Sequence, residues 1–163
     1  MSAWVVNASP LILLGKINQL HLLAKLAERV VIPHEVTLEI KAGPADDAAR
    51  RWIEAEGQPF LASPSPFDLR VVAWDLGNGE TAVISRALSE SDAVCLLDDR
   101  AARDCAQLFG AKVKGTVGVL LLAKKSGLIP AVRPAIDALL RAGTLLNNVV
   151  IREALELAGE SAG

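Results

Sequence analysis

Residues 93–99 read Ala93-Val94-Cys95-Leu96-Leu97-Asp98-Asp99. Five apolar residues in succession, with no polar alternation, describe a strand buried on both faces, as in the interior of a parallel sheet. Two carboxylates stop the run. Open α/β sheets take their ligands just beyond the carboxyl ends of their strands, so this position is chemically privileged.

Working outward, shorter apolar strands fall at 4–6, 30–32, 60–62 and 112–114, with helical patterns between them at 11–17, 20–26, 34–42, 46–56, 67–75, 80–88, 100–109 and 117–125. Two further helices, 131–141 and 148–158, follow. Ser9 is placed to cap the first helix, with Pro10 at its opening position, where a missing N–H does no harm. Gly43-Pro44 stops the helix at 34–42. Ser63-Pro64-Ser65-Pro66 is a loop too short to divide domains. Strands alternating with helices imply parallel pairing and a sheet covered on both sides. The expectation is α/β, one domain over 1–163, with a mostly parallel sheet of about four to five strands.

Composition narrows the class. The chain has 163 residues, 52% of them hydrophobic and 22% charged, which excludes a disordered polymer and allows a core without disulfides. Aromatics are only 4%, which disfavours an aromatic-rich sandwich. No apolar run reaches the roughly 18 residues needed to span a bilayer. Met1-Ser2-Ala3-Trp4 lacks the basic start of a signal peptide, so a cytoplasmic location is expected. Cys95 and Cys105 read as buried thiols, and with His21 and His34 they form no zinc-ligand spacing. Net charge is −2, so nucleic acid would have to be met by a local basic patch, a metal or a partner.

The polar residues at the strand ends are Asn7 after 4–6, Asp98 and Asp99 after 93–97, and Thr116 after 112–114. Glu39 and Glu80 lie on helices that the same edge can gather. Each has an ordinary alternative. Asn7 can start a turn, Asp99 and Thr116 can cap helices, Glu80 can complement a helix dipole, and Glu39 can belong to a solvated face. Convergence changes the weighing. Carboxylates about 5 Å apart repel by roughly 3 kcal/mol at an effective dielectric of 20. A hard divalent cation relieves that repulsion and would polarise a phosphodiester. Arg100 and Arg103, with Lys112 and Lys114, stand near the mouth as phosphate contacts or as plain surface charge. Trp4, Trp52 and Trp74 read as core or interface anchors.

These segments resemble the PIN-domain family. Val5-Val6-Asn7-Ala8-Ser9-Pro10 is similar to its opening motif. Ile32-Pro33-His34-Glu35-Val36-Thr37-Leu38-Glu39 is similar to its second, and Gly77-Asn78-Gly79-Glu80-Thr81 to its third. Leu97-Asp98-Asp99-Arg100 and Gly115-Thr116-Val117 are similar to the last two. Together they cover residues 4 to 128, and the nearest likeness is to the branch related to VapC-type toxins.

The resemblance implies a three-layer α/β/α fold and an endoribonuclease that uses Mg²⁺ or Mn²⁺. Carried onto this chain, the metal positions are Asn7, Glu39, Glu80, Asp98 and Asp99, with Glu39, Glu80 and Asp99 catalytic. Thr116, Arg100 and Arg103 would meet substrate. It implies a small antitoxin as partner and a homodimer, for which the apolar face of Val149, Val150, Ala154, Leu155, Leu157 and Ala158 is available. One departure stands out: Asn7 occupies a position that is acidic in most active members. An amide oxygen still ligates, but without charge, which implies a weakened site or a non-catalytic binding module.

Overall fold

Four short strands build the sheet: β1 (Ala3–Val6), β2 (Arg29–Val31), β3 (Val94–Leu96) and β4 (Lys112–Lys114). They run parallel in the order β2-β1-β3-β4. Every residue of β1 and β3 is buried. Successive strand side chains point to opposite faces, so both faces of the sheet centre are covered. The computed structural model describes residues 2–160. Met1 and residues 161–163, the outer limits of the span expected for the domain, lie outside the described residues.

Helices supply the cover and make the architecture α/β/α. Between β1 and β2 lie α1 (Ala8–Lys16) and α2 (His21–Leu26). Between β2 and β3 lie α3 (His34–Lys41), α4 (Ala48–Glu54), α5 (Leu69–Val72) and α6 (Asn78–Ser89). Beyond β3 come α7 (Arg100–Leu108), β4, α8 (Thr116–Lys125), α9 (Arg133–Arg141) and α10 (Asn148–Leu157). Helix α6 packs on β1 and β3, α2 on β2, and α7 on β4, while α1 packs against α3, α4 and α8. No helix among the described residues is long and apolar enough to cross a membrane.

Several local expectations are corrected. Residues 60–62 form no strand. Gln58–Phe60 is a 3-10 turn, and Leu61 makes only a single parallel bridge to Ile32. The ladder stops there because Ile32 spends both its N–H and its carbonyl on this edge, and the next residue that could face it, His34, already opens α3. The helix expected at 67–75 is reduced to Leu69–Val72. Asp68 caps its start, and Asp75 adopts a left-handed conformation (φ 55°) that ends it. Ser9 is not a cap, because α1 opens two residues earlier, at Ala8, and Asn7 holds the cap position. The buried Cys95 and Cys105 are free thiols, as read from the sequence. Burial pushes Cys95 up to about 12 and raises Cys105 as well, so neither is a nucleophile at neutral pH.

Candidate active site

Strand order places a topological switch at the centre of the sheet. From β1 the chain winds outward to β2, then returns across β1 to β3 and continues to β4. The crevice between the carboxyl ends of β1 and β3 is where such sheets bind ligands. Asn7 leaves β1 there, its N–H donating to the Leu96 carbonyl at 3.1 Å, so β1 and β3 remain zipped to the rim. Asn7 is 4% exposed. Its side chain makes no capping bond to α1, and its Oδ1 is buried without a hydrogen-bond partner. A buried carbonyl oxygen left unpaired costs about 1–3 kcal/mol, and a fold rarely carries that without use.

Around that oxygen stand the acids. Helix α3 begins directly after Pro33 and packs against α6, which brings Glu39 beside Gly79 and Glu80. Gly79 keeps a small space open at this contact. A Cβ there would lie 3.2 Å from Asn7 Oδ1 and 3.5 Å from Glu39 Oε2. Glu80 sits in the first turn of α6 and is partly buried. Burial raises its pKa above the ordinary carboxylate value, and the negative charges of Asp99 and Glu39 raise it further. Glu80 therefore lies close enough to both Glu39 and Asp99 to feel their charge. Asp99 also caps α7, its Oδ2 accepting from Ala102 N–H at 3.0 Å, while among the described residues no hydrogen bond is made to Oδ1.

Asp98 faces a different neighbourhood. Its Oδ1 accepts from Thr116 N–H at 2.8 Å, and its Oδ2 accepts from the Thr116 hydroxyl at 2.7 Å and the Ser9 hydroxyl at 3.2 Å. Asp98 thus ties the end of β3 to the first turns of α1 and α8. Gly115 permits the approach, since a Cβ there would meet Asp98 Oδ1 and Arg103 Nη1 at 3.0 Å each. Ser9 and the two glycines escaped sequence reasoning as site residues. The only local signal was their place beside the acids.

Of the residues expected to meet substrate, Thr116 is buried with both its donors committed to Asp98. Arg103 is partly buried, one Nη1–H donating to the Leu97 carbonyl at 2.9 Å. Arg100 stands in solvent. Arg100, Arg103 and Lys114 line a cleft of about 930 Å³ that opens from the Ser9–Asp98–Thr116 knot towards α10. Glu39, Glu80 and Asp99 are not among the residues that line it.

Among the described residues, no group of three or more Asp, Glu, His or Cys side chains is drawn together tightly enough to enclose a metal ion. The donor set nonetheless fits a hard cation. It offers one unpaired amide oxygen and carboxylates whose mutual repulsion shows in Glu80. Mg²⁺ in particular keeps several waters and needs only one or two carboxylates, so an open arrangement suits it.

No curated protein matches this sequence. A family model described as the PIN domain matches residues 3–160, nearly the whole chain, and takes in every strand of the sheet and all four positions around the Asn7 oxygen. With its parallel β2-β1-β3-β4 sheet and the acids at its switch point, the chain belongs to the PIN-domain family.

Proposed function

We propose that this PIN domain is an endoribonuclease that uses Mg²⁺ or Mn²⁺ bound by Asn7, Glu39, Glu80 and Asp99 to hydrolyse RNA phosphodiesters. PIN domains are in general nucleases, which sets the reaction class. The observation that carries the reading is the buried, unpartnered Asn7 Oδ1 close to Glu39 at Gly79, next to Glu80, whose carboxyl is pushed up by the charges of Asp99 and Glu39. A divalent cation, when bound, supplies Lewis-acid polarisation of the phosphodiester and charge for the departing oxygen. Without metal, burial and the charges of Asp99 and Glu39 hold the Glu80 pKa above the ordinary carboxylate value, and a bound cation would relieve that repulsion. Glu39 and Asp99 hold negative charge at the site, and the Asp99 cap fixes its carboxylate on α7. Asp98 is a positioning residue that works through Ser9 and Thr116. Arg100 and Arg103 meet backbone phosphates from the adjoining cleft.

The likeness of the motifs to VapC-type toxins supports the biological role of toxin, with a small antitoxin covering the site. It also supports a homodimer. Ala154 and Leu155 of α10 pack on their own domain, while Val149, Val150 and Leu157 remain exposed for a second copy.

A second reading is favoured by one observation: Asn7 brings no charge to the position that receives the backbone of β1. Three carboxylates in place of four leave a weakened site, and in that case the domain binds its partner without turnover.

Incubation of the protein with structured RNA in Mn²⁺ or Mg²⁺, with and without EDTA, separates the two. Chelator-sensitive cleavage that disappears in Glu80→Gln and Asp99→Asn establishes the nuclease. Absence of cleavage by the wild type and by Asn7→Asp rejects it.

A further inference from the structure

At the other end of α1 lies a groove that the proposed chemistry does not use. The acids meet the first turn of α1, whereas this groove begins at Gly15, near its last turn, about 10 Å further along the helix. It has a volume of about 750 Å³ and is walled by Trp52 and Phe60, with His21, Lys25, Arg51 and Glu56 at its polar edges.

The aromatic wall is fixed in advance. The Trp52 and Phe60 rings stack with centroids 5.7 Å apart and planes inclined by 24°. Gly57 lets the indole lie against the backbone, since a Cβ there would come within 2.9 Å of two of its ring atoms. Gln58 pins the 3-10 turn that carries Phe60, donating to the Ile53 carbonyl at 2.7 Å. Gly15 allows α4 to cross α1 closely, because a Cβ there would meet the Ala49 nitrogen at 3.0 Å. Sequence reading treated Trp52 as a core or interface anchor. Here it is only partly buried and lines an open groove.

The charge balance indicates what fits. Lys25 and Arg51 bring two basic side chains to the lining and His21 adds ring nitrogens, against the single carboxylate of Glu56. The whole chain carries −2, and its acids at the sheet edge repel anions, so this positive, aromatic edge is a local exception. A planar apolar body with an anionic group attached is the complement of such a surface. Rigid aromatic rings flanked by cations are how single-stranded nucleic acid is held without sequence readout. The groove is open and does not enclose its contents, which suits one unit within a strand.

We infer that the Trp52–Phe60 groove is an exosite for single-stranded RNA, holding one nucleotide of the strand with its base on the aromatic wall and its phosphate near Lys25 and Arg51. It rests on the RNA reading above, and it adds a second point of attachment remote from the acids.

Fluorescence anisotropy of a labelled oligoadenylate, measured in EDTA so that nothing is cut, tests it. Lys25→Glu and Phe60→Leu should each weaken binding about tenfold. The control reversal Arg141→Glu, at the exposed end of α9, should leave it unchanged. Unchanged affinity in Lys25→Glu, a surface variant that leaves the core intact, overturns the exosite. AMP competing as tightly as the oligonucleotide overturns the strand reading in favour of a free-nucleotide site. Cleavage of RNA by a wild type whose affinity ignores the groove removes the exosite and leaves the nuclease. Groove-dependent binding without chelator-sensitive cleavage does the reverse.

Discussion

Asn7 concentrates the chemistry of the site in one atom. Its Oδ1 is buried and unpaired among the described residues, and nearby the charges of Asp99 and Glu39 push up the Glu80 carboxyl. Replacing the amide by a carboxylate restores a fourth charge, and hard-cation affinity rises with ligand charge. Asn7→Asp should bind Mn²⁺ about tenfold more tightly by calorimetry. Without metal it should be less stable than the wild type, because the new charge joins the repulsion. Glu80 gives the complementary expectation. Its folded pKa lies above the ordinary value of 4.5, so the native state holds that proton more tightly than the unfolded chain. Its contribution is therefore fully favourable below pH 4.5 and is lost as pH rises through the raised value. Glu80→Gln, always neutral, should raise the urea midpoint at pH 7 in EDTA, with the gain vanishing below pH 4.5. At this scale the sequence was informative about which residues flank the sheet edge, since each follows or precedes a readable strand or helix start. It was silent about orientation. Asp98 and Asp99 are adjacent, yet one is spent on Ser9 and Thr116 while the other's charge reaches Glu80. A partner 89 positions away, as Ser9 is from Asp98, leaves no local trace.

Among the elements, those with a clean apolar period were legible and those ended by a special backbone state were not. The continuous apolar run gave β3, and the stop at Pro33 gave the boundary between β2 and α3. Helix α5 was overread because Asp75 ends it in a conformation that propensity alone does not announce. Glu160 shows the same limit at the other end of the chain. Helix α9 has no side-chain cap of its own. Glu160, arriving from beyond α10, accepts from Val132 N–H at 2.8 Å and Arg133 N–H at 3.1 Å and pairs with Lys124 at 2.9 Å. The Val132 N–H is the main reason its pKa falls to about 2, with the Lys124 ammonium and the Arg133 N–H assisting. A depressed carboxylate stabilises the fold above its unfolded pKa and ceases to as pH drops through the folded value. Glu160→Ala should cost about 1–2 kcal/mol in urea unfolding at pH 7, as lost helix caps do. That difference should narrow between pH 4.5 and about 2.

For the molecule as a whole, the parallel α/β architecture followed from alternating strands and helices, and the family from motifs spread along the chain. Which surface remains uncovered did not follow, because an apolar helix face looks the same whether it meets its own core or another protein. Leu145 is 99% exposed, and Val149, Val150 and Leu157 lie open on α10. If these residues join two copies, sedimentation should give a dimer for the wild type and a monomer for Val149→Asp, with the circular dichroism unchanged. The strand order carries one more consequence. β1 is made first yet sits between β2 and β3, and it waits for residue 94 to begin satisfying its second edge. During translation the emerging chain therefore carries an apolar, half-paired ribbon until β3 emerges, a state prone to association. By the same geometry, Asn7 and Asp99 cannot face each other until β3 has left the ribosome. A nascent chain that has not yet released β3 therefore cannot assemble the site.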